Sequence, residues 1–379
     1  MNFETLKYKA NHYVLILLTF VLPLERKLAP PLIILFCLTS IINHAPKKYF
    51  NPKILWLAAL FFIYGLGIIY SGNKGLAWNS LTEKLSILVF PLAIYCSNLN
   101  IKKHLQSILN AFLVGCFVSG AISLSYSFFN FYTTKNVASF FYGNSSYFLH
   151  PSYWAMYLNF AVLIIYFTKK HLSSFLLIGF FSLIILFSAS KTGIVCLFII
   201  HLSAVLYQLI IQKKYLHGSL TILSFVILMG GVFQFSPTIQ SRVNELLTVV
   251  LSGNTSGGST TAARIEIWNI SSKLIAKKPL LGYGTGDEQT VLQKEYKKGG
   301  FKHFETQQLN AHNQFLQTGL AIGLMGVFAL LLMLVVPAYF SFKNNHYLYL
   351  LFILLVALNL LTESMLERQA GVVFYTLFN

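Results

Sequence analysis

From Ser173 to Ile211 the chain is apolar almost throughout, and Lys191 is the single charged side chain in that run. As one helix the run would reach about 58 Å at 1.5 Å per residue, nearly twice a hydrocarbon core of about 30 Å. It is therefore expected to fold back as two spans. A lysine at mid-bilayer costs about 3 kcal/mol or more, which puts Lys191, within S-A-S-K-T-G, at the tip of the hairpin with Gly193 supplying the turn. The rest of the chain follows the same pattern. Of its 379 residues 56% are hydrophobic and 10% are charged, the balance of a polytopic membrane protein rather than of a soluble core.

Apolar runs near 12–24, 30–43, 54–71, 84–97, 105–130, 152–168, 173–190, 192–211, 219–235, 313–341, 347–362 and 366–379 predict about twelve spans. Asn11 to Leu24 runs into Glu25-Arg26-Lys27, not into small residues, and reads as a span rather than a cleavable signal. The net charge of +17 does not point to nucleic acid, because the basic residues sit in short clusters between apolar runs. With the N-terminus in the cytoplasm, the inner segments hold the lysines at 7, 9, 47, 48, 53, 102, 103, 169, 170, 213, 214 and 343 against the single acid Glu4. The outer segments carry mixed charge. The positive-inside rule then places both termini in the cytoplasm and residues 236–312 outside, away from ATP and nucleotide sugars. Cys37, Cys96, Cys116 and Cys196 all lie in apolar runs without metal-ligand spacing.

The chain shows no internal repeat and reads as one polytopic domain over 1–379, with 236–312 as a single large outer loop between spans 9 and 10. Inside that loop, Asn254–Thr261 (N-T-S-G-G-S-T-T) is a flexible stretch. Ile265, Trp268 and Ile275 then follow a 3.6-residue period, predicting an amphipathic helix that starts at Arg264, ends at Pro279 and lies on the membrane surface or caps the bundle. Gly282, Gly284 and Gly286 make the following chain turn tightly. Their G-x-G-x-G spacing, with no strand before it, does not describe a nucleotide loop. His303 and His312 lack a carboxylate at ligand spacing, so no metal site is expected. Lys294 to Lys302 is a second basic piece and reads as a solvated surface.

A rim of ionisable groups remains at the outward ends of spans: Lys84 beside Glu83, His150 before Pro151, Lys191, Arg264, His312, and the pair Glu363 and Glu367. Four apart, the two glutamates are expected to share a helix face before the last span. Singly, each of these groups reads equally as an interfacial anchor or a snorkelling charge. Arg264 and His312, however, bound the one large outer loop, and bringing them together would make a basic pocket at the lipid interface. Such a pocket suits a lipid-linked pyrophosphate. Arginine offers two donors to phosphate oxygens, lysine a point charge, and fixed cations neutralise a diphosphate leaving group without metal. A histidine among cations has its charged form disfavoured, so His312 could accept a proton from a sugar hydroxyl.

R-I-E-I-W from Arg264, K-P-L-L-G-Y-G-T-G from Lys278 and A-H-N-Q-F-L-Q-T-G-L-A-I-G-L-M-G from Ala311 together resemble the shared region of the O-antigen ligase and O-antigen polymerase superfamily over residues 264–326. H-P-S-Y-W-A-M-Y-L, S-A-S-K-T-G and T-E-S-M-L-E-R-Q-A-G-V-V-F resemble other parts of the same group. The resemblance implies an all-α, GT-C-like helical bundle in the bacterial inner membrane. It also implies a metal-independent, inverting glycosyltransferase without cofactor, working at the periplasmic face in lipopolysaccharide or surface-polysaccharide synthesis. Its donor would be an undecaprenyl-diphosphate-linked glycan, and its acceptor a lipid A core sugar or a growing glycan. The family's catalytic histidine falls on His312 and its arginine before the tryptophan on Arg264. A further family arginine falls on Lys191, which keeps the charge and loses the two-donor fork. Glu363, Lys84 and His150 are expected on the rim or the acceptor side. Ligase and polymerase share this donor. A flippase of lipid-linked glycan, the reading from another class, would instead line a passage with charges inside its spans.

Overall fold

The computed structural model describes residues 3–43, 53–168, 173–252 and 260–379. The basic residues Lys47, Lys48, Lys169 and Lys170 and most of the stretch Asn254–Thr261 lie outside them. Among the described residues every regular element is helical. The first half holds α1 (Phe3–Val21), α2 (Ala29–Ile42), α3 (Lys53–Tyr70), α4 (Lys74–Lys84), α5 (Ser86–Cys96), α6 (Ile101–Thr134), α7 (Pro151–Thr168) and α8 (Ser173–Phe187). Then come α9 (Lys191–Leu206), α10 (Tyr215–Phe235), α11 (Pro237–Ser252), α12 (Thr260–Lys277), α13 (Glu288–Lys298) and α14 (Lys302–Thr306). The chain closes with α15 (Gln314–Lys343), α16 (Tyr347–Thr362) and α17 (Gln369–Phe378).

Helix α7 is the axis of the bundle: Trp154 to Ile165 are buried without interruption, and α7 packs on α6, α8, α9 and α16. Aromatic rings fill the centre, with Tyr157 stacked on Phe374 at 4.7 Å and Phe160 edge-on to Phe378 at 4.8 Å. Each predicted apolar run contains a helix, but their lengths differ. Among the described residues Ile101–Thr134, Lys191–Ile211 and Gln314–Lys343 are long and apolar enough to cross a membrane, and a fourth crossing arises if the pair bent by 99° at residues 235–236 counts as one span. Ala29–Ile42, Ala58–Tyr70, Ser174–Phe187, Tyr347–Thr362 and Gln369–Phe378 are shorter apolar helices. The run 84–97 is not one span: α4 is polar and ends at Lys84, and α5 has 11 residues with Pro91 inside. At 1.5 Å per residue α5 and α17 reach only about 15–17 Å, too little to cross alone.

The hairpin at Lys191 forms as expected, with a different turn residue. Ala189 takes the left-handed conformation at φ 47°, and Ser190 caps α9 through Gly193 N. Gly193 sits inside α9, where an added Cβ would meet the Ala155 Cβ at 2.5 Å, and its carbonyl accepts from Asn159 Nδ2 at 3.0 Å. It is a close-packing glycine between α9 and α7.

Among its described residues the interval 236–312 folds as four helices rather than a loop. Helix α12 ends before Pro279, as expected, but starts at Thr260 rather than at Arg264, and Gly282, Gly284 and Gly286 have φ values of 66°, 110° and 103°. The turn they make is threaded into the bundle. Helix α15 is broken at Ile322 and Gly323, and the carbonyls this frees at Leu320 and Ala321 accept from Tyr283 N and Gly284 N, each at 2.8 Å. Leu324 N returns a bond to the Pro279 carbonyl at 2.8 Å. Thr285 Oγ1 donates to the Tyr64 carbonyl on α3 at 2.7 Å, while Asp287 accepts from Ser71 Oγ and Asn73 N, each at 3.0 Å, just before α4. The broken helix and the glycine segment thus satisfy one another's backbone groups, the condition for irregular chain inside an apolar bundle.

Candidate active site

Helix α16 ends at Thr362, and Glu363 continues in extended backbone, aiming its carboxylate back across the helix ends. Three elements converge on it. Arg264 Nη2, from the second turn of α12, lies 2.7 Å from Oε1; Ser152 Oγ, in the first turn of α7, donates to the same oxygen at 3.1 Å; and His312 Nδ1 lies 3.3 Å from Oε2. Burial alone would raise the Glu363 carboxyl. The His312 hydrogen bond and the Arg264 guanidinium outweigh that effect and hold it at about 2, with His150 contributing. An ionised carboxylate only accepts, so Nδ1 of His312 carries a hydrogen, and in the neutral ring Nε2 presents the lone pair.

His312 is set by the start of α15. Asn313 caps that helix through Leu316 N at 3.1 Å and donates to the Leu361 carbonyl at 3.0 Å, joining α15 to α16 beside Glu363. The predicted convergence of Arg264 and His312 is therefore present, but an acid stands between them. The ring's direct neighbour is a carboxylate rather than a cation.

Lys191 is one shell away. Its Nζ lies 2.6 Å from Glu245 Oε2 on α11 and donates to Thr260 Oγ1 at 3.0 Å and Thr261 Oγ1 at 2.6 Å. It thereby docks the start of the helix that carries Arg264. Next to it, Thr192 and Thr362 hydroxyls meet at 2.8 Å. His150 lies within electrostatic reach of Glu363, Arg264 and His312.

Glu363 and Glu367 do not share a helix face. The chain between them is non-helical, then turns once as a 3-10 helix at Met365–Glu367, and the two carboxylates serve different nodes. Glu367 Oε2 pairs with Lys84 Nζ at 2.6 Å, and Lys84 is fully buried over the Tyr64 ring, 4.4 Å from its centre. Glu367 Oε1 accepts from Gln314 Nε2 at 3.2 Å. Lys84 thus belongs to this second node rather than to the open rim.

Two residues outside the expected set also face the site. Ser152 sits in the H-P-S-Y-W stretch but has no distinguishing signal of its own. Arg368 follows Glu367 directly, but Glu367 pairs with Lys84, 283 positions earlier. Arg368 is exposed, forms no ion pair among the described residues, and lies within reach of His150, Tyr153 and Glu83. Lys191, Arg264 and Lys84 each carry a carboxylate partner, whereas Arg368 has none among the described residues.

Behind the second node, burial and Glu367 push the buried Glu288 of α13 up to about 7, against its own backbone N–H, Lys84 and the Gly286 N–H. Its ordinary value is 4.5, so the folded protein keeps a proton that the unfolded chain has released. Stability is thus expected to fall as pH rises from 4.5 through about 7. Glu288→Gln should flatten thermal stability in detergent across that window, and an unchanged slope would contradict the assignment.

Residues 174–331 match the family model for O-antigen ligase. The match supports a place in the O-antigen ligase and polymerase superfamily. No curated protein matches it. The matched region contains Lys191, Arg264 and His312, whereas Ser152, Glu363 and Arg368 reach the cluster from outside it. The match supports a membrane enzyme of the glycosyltransferase type that acts on lipid-linked glycans, in the broad group of O-antigen ligases and polymerases.

Proposed function

We propose that the protein transfers a glycan from an undecaprenyl-diphosphate carrier to a sugar hydroxyl at the periplasmic face of the inner membrane, with both termini in the cytoplasm. The observation that carries this reading is the Glu363 carboxylate joined to both Arg264 and His312, two residues of the stretch that matches this family. Glu363 holds Nδ1–H of His312, leaving Nε2 to take the acceptor proton. The acceptor oxygen then bonds to the anomeric carbon from the face opposite the diphosphate. The carbon–oxygen bond to the diphosphate breaks, and undecaprenyl diphosphate leaves with the electron pair. Arg264, Arg368 and Lys191 neutralise the charge developing on that leaving group, a role that fixed cations perform without reorganisation. The reaction on this reading inverts the anomeric centre and asks no metal or cofactor of the protein. The acceptor, a lipid A core sugar or the end of another glycan, separates ligase from polymerase at the same site.

Of the segments assigned to the outer side by charge, 72–84, 191, 236–312 and 363–370 are joined through Lys84–Glu367, Lys191–Thr260 and Arg264–Glu363, and Ser152, next to 131–151, reaches the same Glu363, which supports a single outward site. A passage for flipping would need charges along the spans, and these charges gather at the ends instead.

Arg264→Ala is expected to abolish transfer while the protein still inserts, and Arg264→Lys to recover little, because one point charge cannot grip two oxygens. Lys191→Arg should be tolerated, since a guanidinium can still meet Glu245. Transfer by purified membranes reads all three. Full activity in Arg264→Ala would reduce Arg264 to an interfacial anchor.

A further inference from the structure

His312 lies at φ 45°, a backbone conformation that residues other than glycine adopt only when their surroundings hold them there. Two hydrogen bonds hold this turn. His312 N donates to Asn310 Oδ1 at 3.0 Å, and Ala311 N donates to Gln317 Oε1 at 3.1 Å. Gln317 is 3% exposed, in the first turn of α15, and its carboxamide reaches off the helix to serve a neighbouring segment. Gln314, three residues before it and fully buried, does the same on the other side: its Oε1 accepts from Leu366 N at 2.7 Å and its Nε2 donates to Glu367. Three apart, the two side chains project from neighbouring positions on the helix surface.

That surface is immobilised. Two turns further on, the bonds from Tyr283 N and Gly284 N to the Leu320 and Ala321 carbonyls tie the broken end of this helical segment to the glycine turn. Thr318 Oγ1 meets the Tyr64 hydroxyl at 3.1 Å and ties it to α3. The short segment 314–321 is therefore a fixed platform between the His312 turn and the 363–367 segment.

We propose that Gln317 is a positioning residue for His312, its buried carboxamide holding the left-handed turn that aims the imidazole at Glu363, while Gln314 holds the segment that presents the carboxylate. The role of His312 in transfer rests on the function proposed above; the positioning itself does not. Gln317→Met keeps the volume and removes the acceptor, whereas Gln317→Glu keeps an oxygen at the same reach.

The test uses the full-length protein in detergent. Its histidines are acylated with diethyl pyrocarbonate, and the rate at His312 is measured by peptide mass against the exposed His303 as an internal reference. Gln317→Met should shift that ratio several-fold and Gln317→Glu should keep the wild-type ratio; a wild-type ratio in Gln317→Met overturns the proposal. Transfer gives a second, independent readout. Gln317→Met should lower kcat roughly 100-fold, the scale of a misplaced catalytic group, with donor KM unchanged. In a His312→Ala background it should add no further loss, and additive losses would overturn the proposal. A wild-type protein without transfer activity would sink the proposed reaction and still leave the acylation ratio to decide the role of Gln317.

Discussion

Glu363→Gln is expected to cut transfer by roughly 10³-fold or more while the protein still reaches the membrane. The amide keeps the size of the side chain and loses its charge and half of its acceptors. In the native site Arg264 Nη2 and Ser152 Oγ meet one oxygen while His312 Nδ1 meets the other. A glutamine offers one oxygen and one N–H2 group, so one donor must then face another donor. If that donor is His312, the ring rotates or moves its hydrogen to Nε2, and the lone pair proposed to receive the acceptor proton is lost. If it is Arg264, its charge stands uncompensated at the place where the diphosphate must bind. The carboxyl is held near 2 against an ordinary 4.5, so its stabilising contribution is complete above 4.5 and fades as pH falls toward 2. Glu363→Gln should therefore also lower the melting temperature at neutral pH, and Glu363→Asp, which keeps the charge, should recover part of both. Turnover within a few-fold of wild type in Glu363→Gln would remove Glu363 from the reaction.

His312 carries the second large effect. His312→Ala should reduce turnover strongly while donor binding survives, because the proposed diphosphate grip belongs to Arg264, Arg368 and Lys191. His312→Gln separates two roles: it can hydrogen-bond, but it cannot take a proton near neutrality. A loss as deep as in the alanine variant marks a general base, a step worth roughly 10²–10⁴-fold. Near-normal turnover in the glutamine variant would mean that the ring only places the acceptor. If the histidine is structural, both variants should instead give low membrane yield, since Asn313 beside it ties α15 to α16.

Much of this arrangement is legible along the chain. The unbroken apolar run with one lysine implies a hairpin with Lys191 at its tip, and the lysine is found at the first residue of α9. The period from Ile265 to Ile275 finds α12 and the proline after it marks its end, while its start at Thr260 lies four residues before the expected Arg264. Arg264 and His312 attract attention because they flank one polar interval, and both reach Glu363. The partners are what local patterns do not carry. Arg264 and Glu363 are 99 positions apart, and Lys84 and Glu367 are 283 apart, so tertiary packing alone chooses which acid meets which base. Spacing misleads for Glu363 and Glu367, because a four-residue interval implies one face only while the helix continues, and α16 stops at Thr362. The break in α15 is also hidden. Gly323, within A-I-G-L-M-G, is an ordinary helix glycine by composition, and it becomes a break because the backbone N–H groups of Tyr283 and Gly284 are present to satisfy the carbonyls that the break frees.

The most direct measurement is transfer by the purified protein in detergent or liposomes, given an undecaprenyl-diphosphate-linked glycan and a lipid A core or glycan acceptor, with chelator present. Wild-type protein is expected to release undecaprenyl diphosphate and lengthen the acceptor with inverted anomeric configuration, and the Arg264→Ala, Glu363→Gln and His312→Ala proteins to do so at least roughly 10²-fold more slowly. Failure of the wild type to release the carrier with either acceptor, or release that proceeds equally in all three variants, would contradict a glycosyltransferase site built on Arg264, Glu363 and His312.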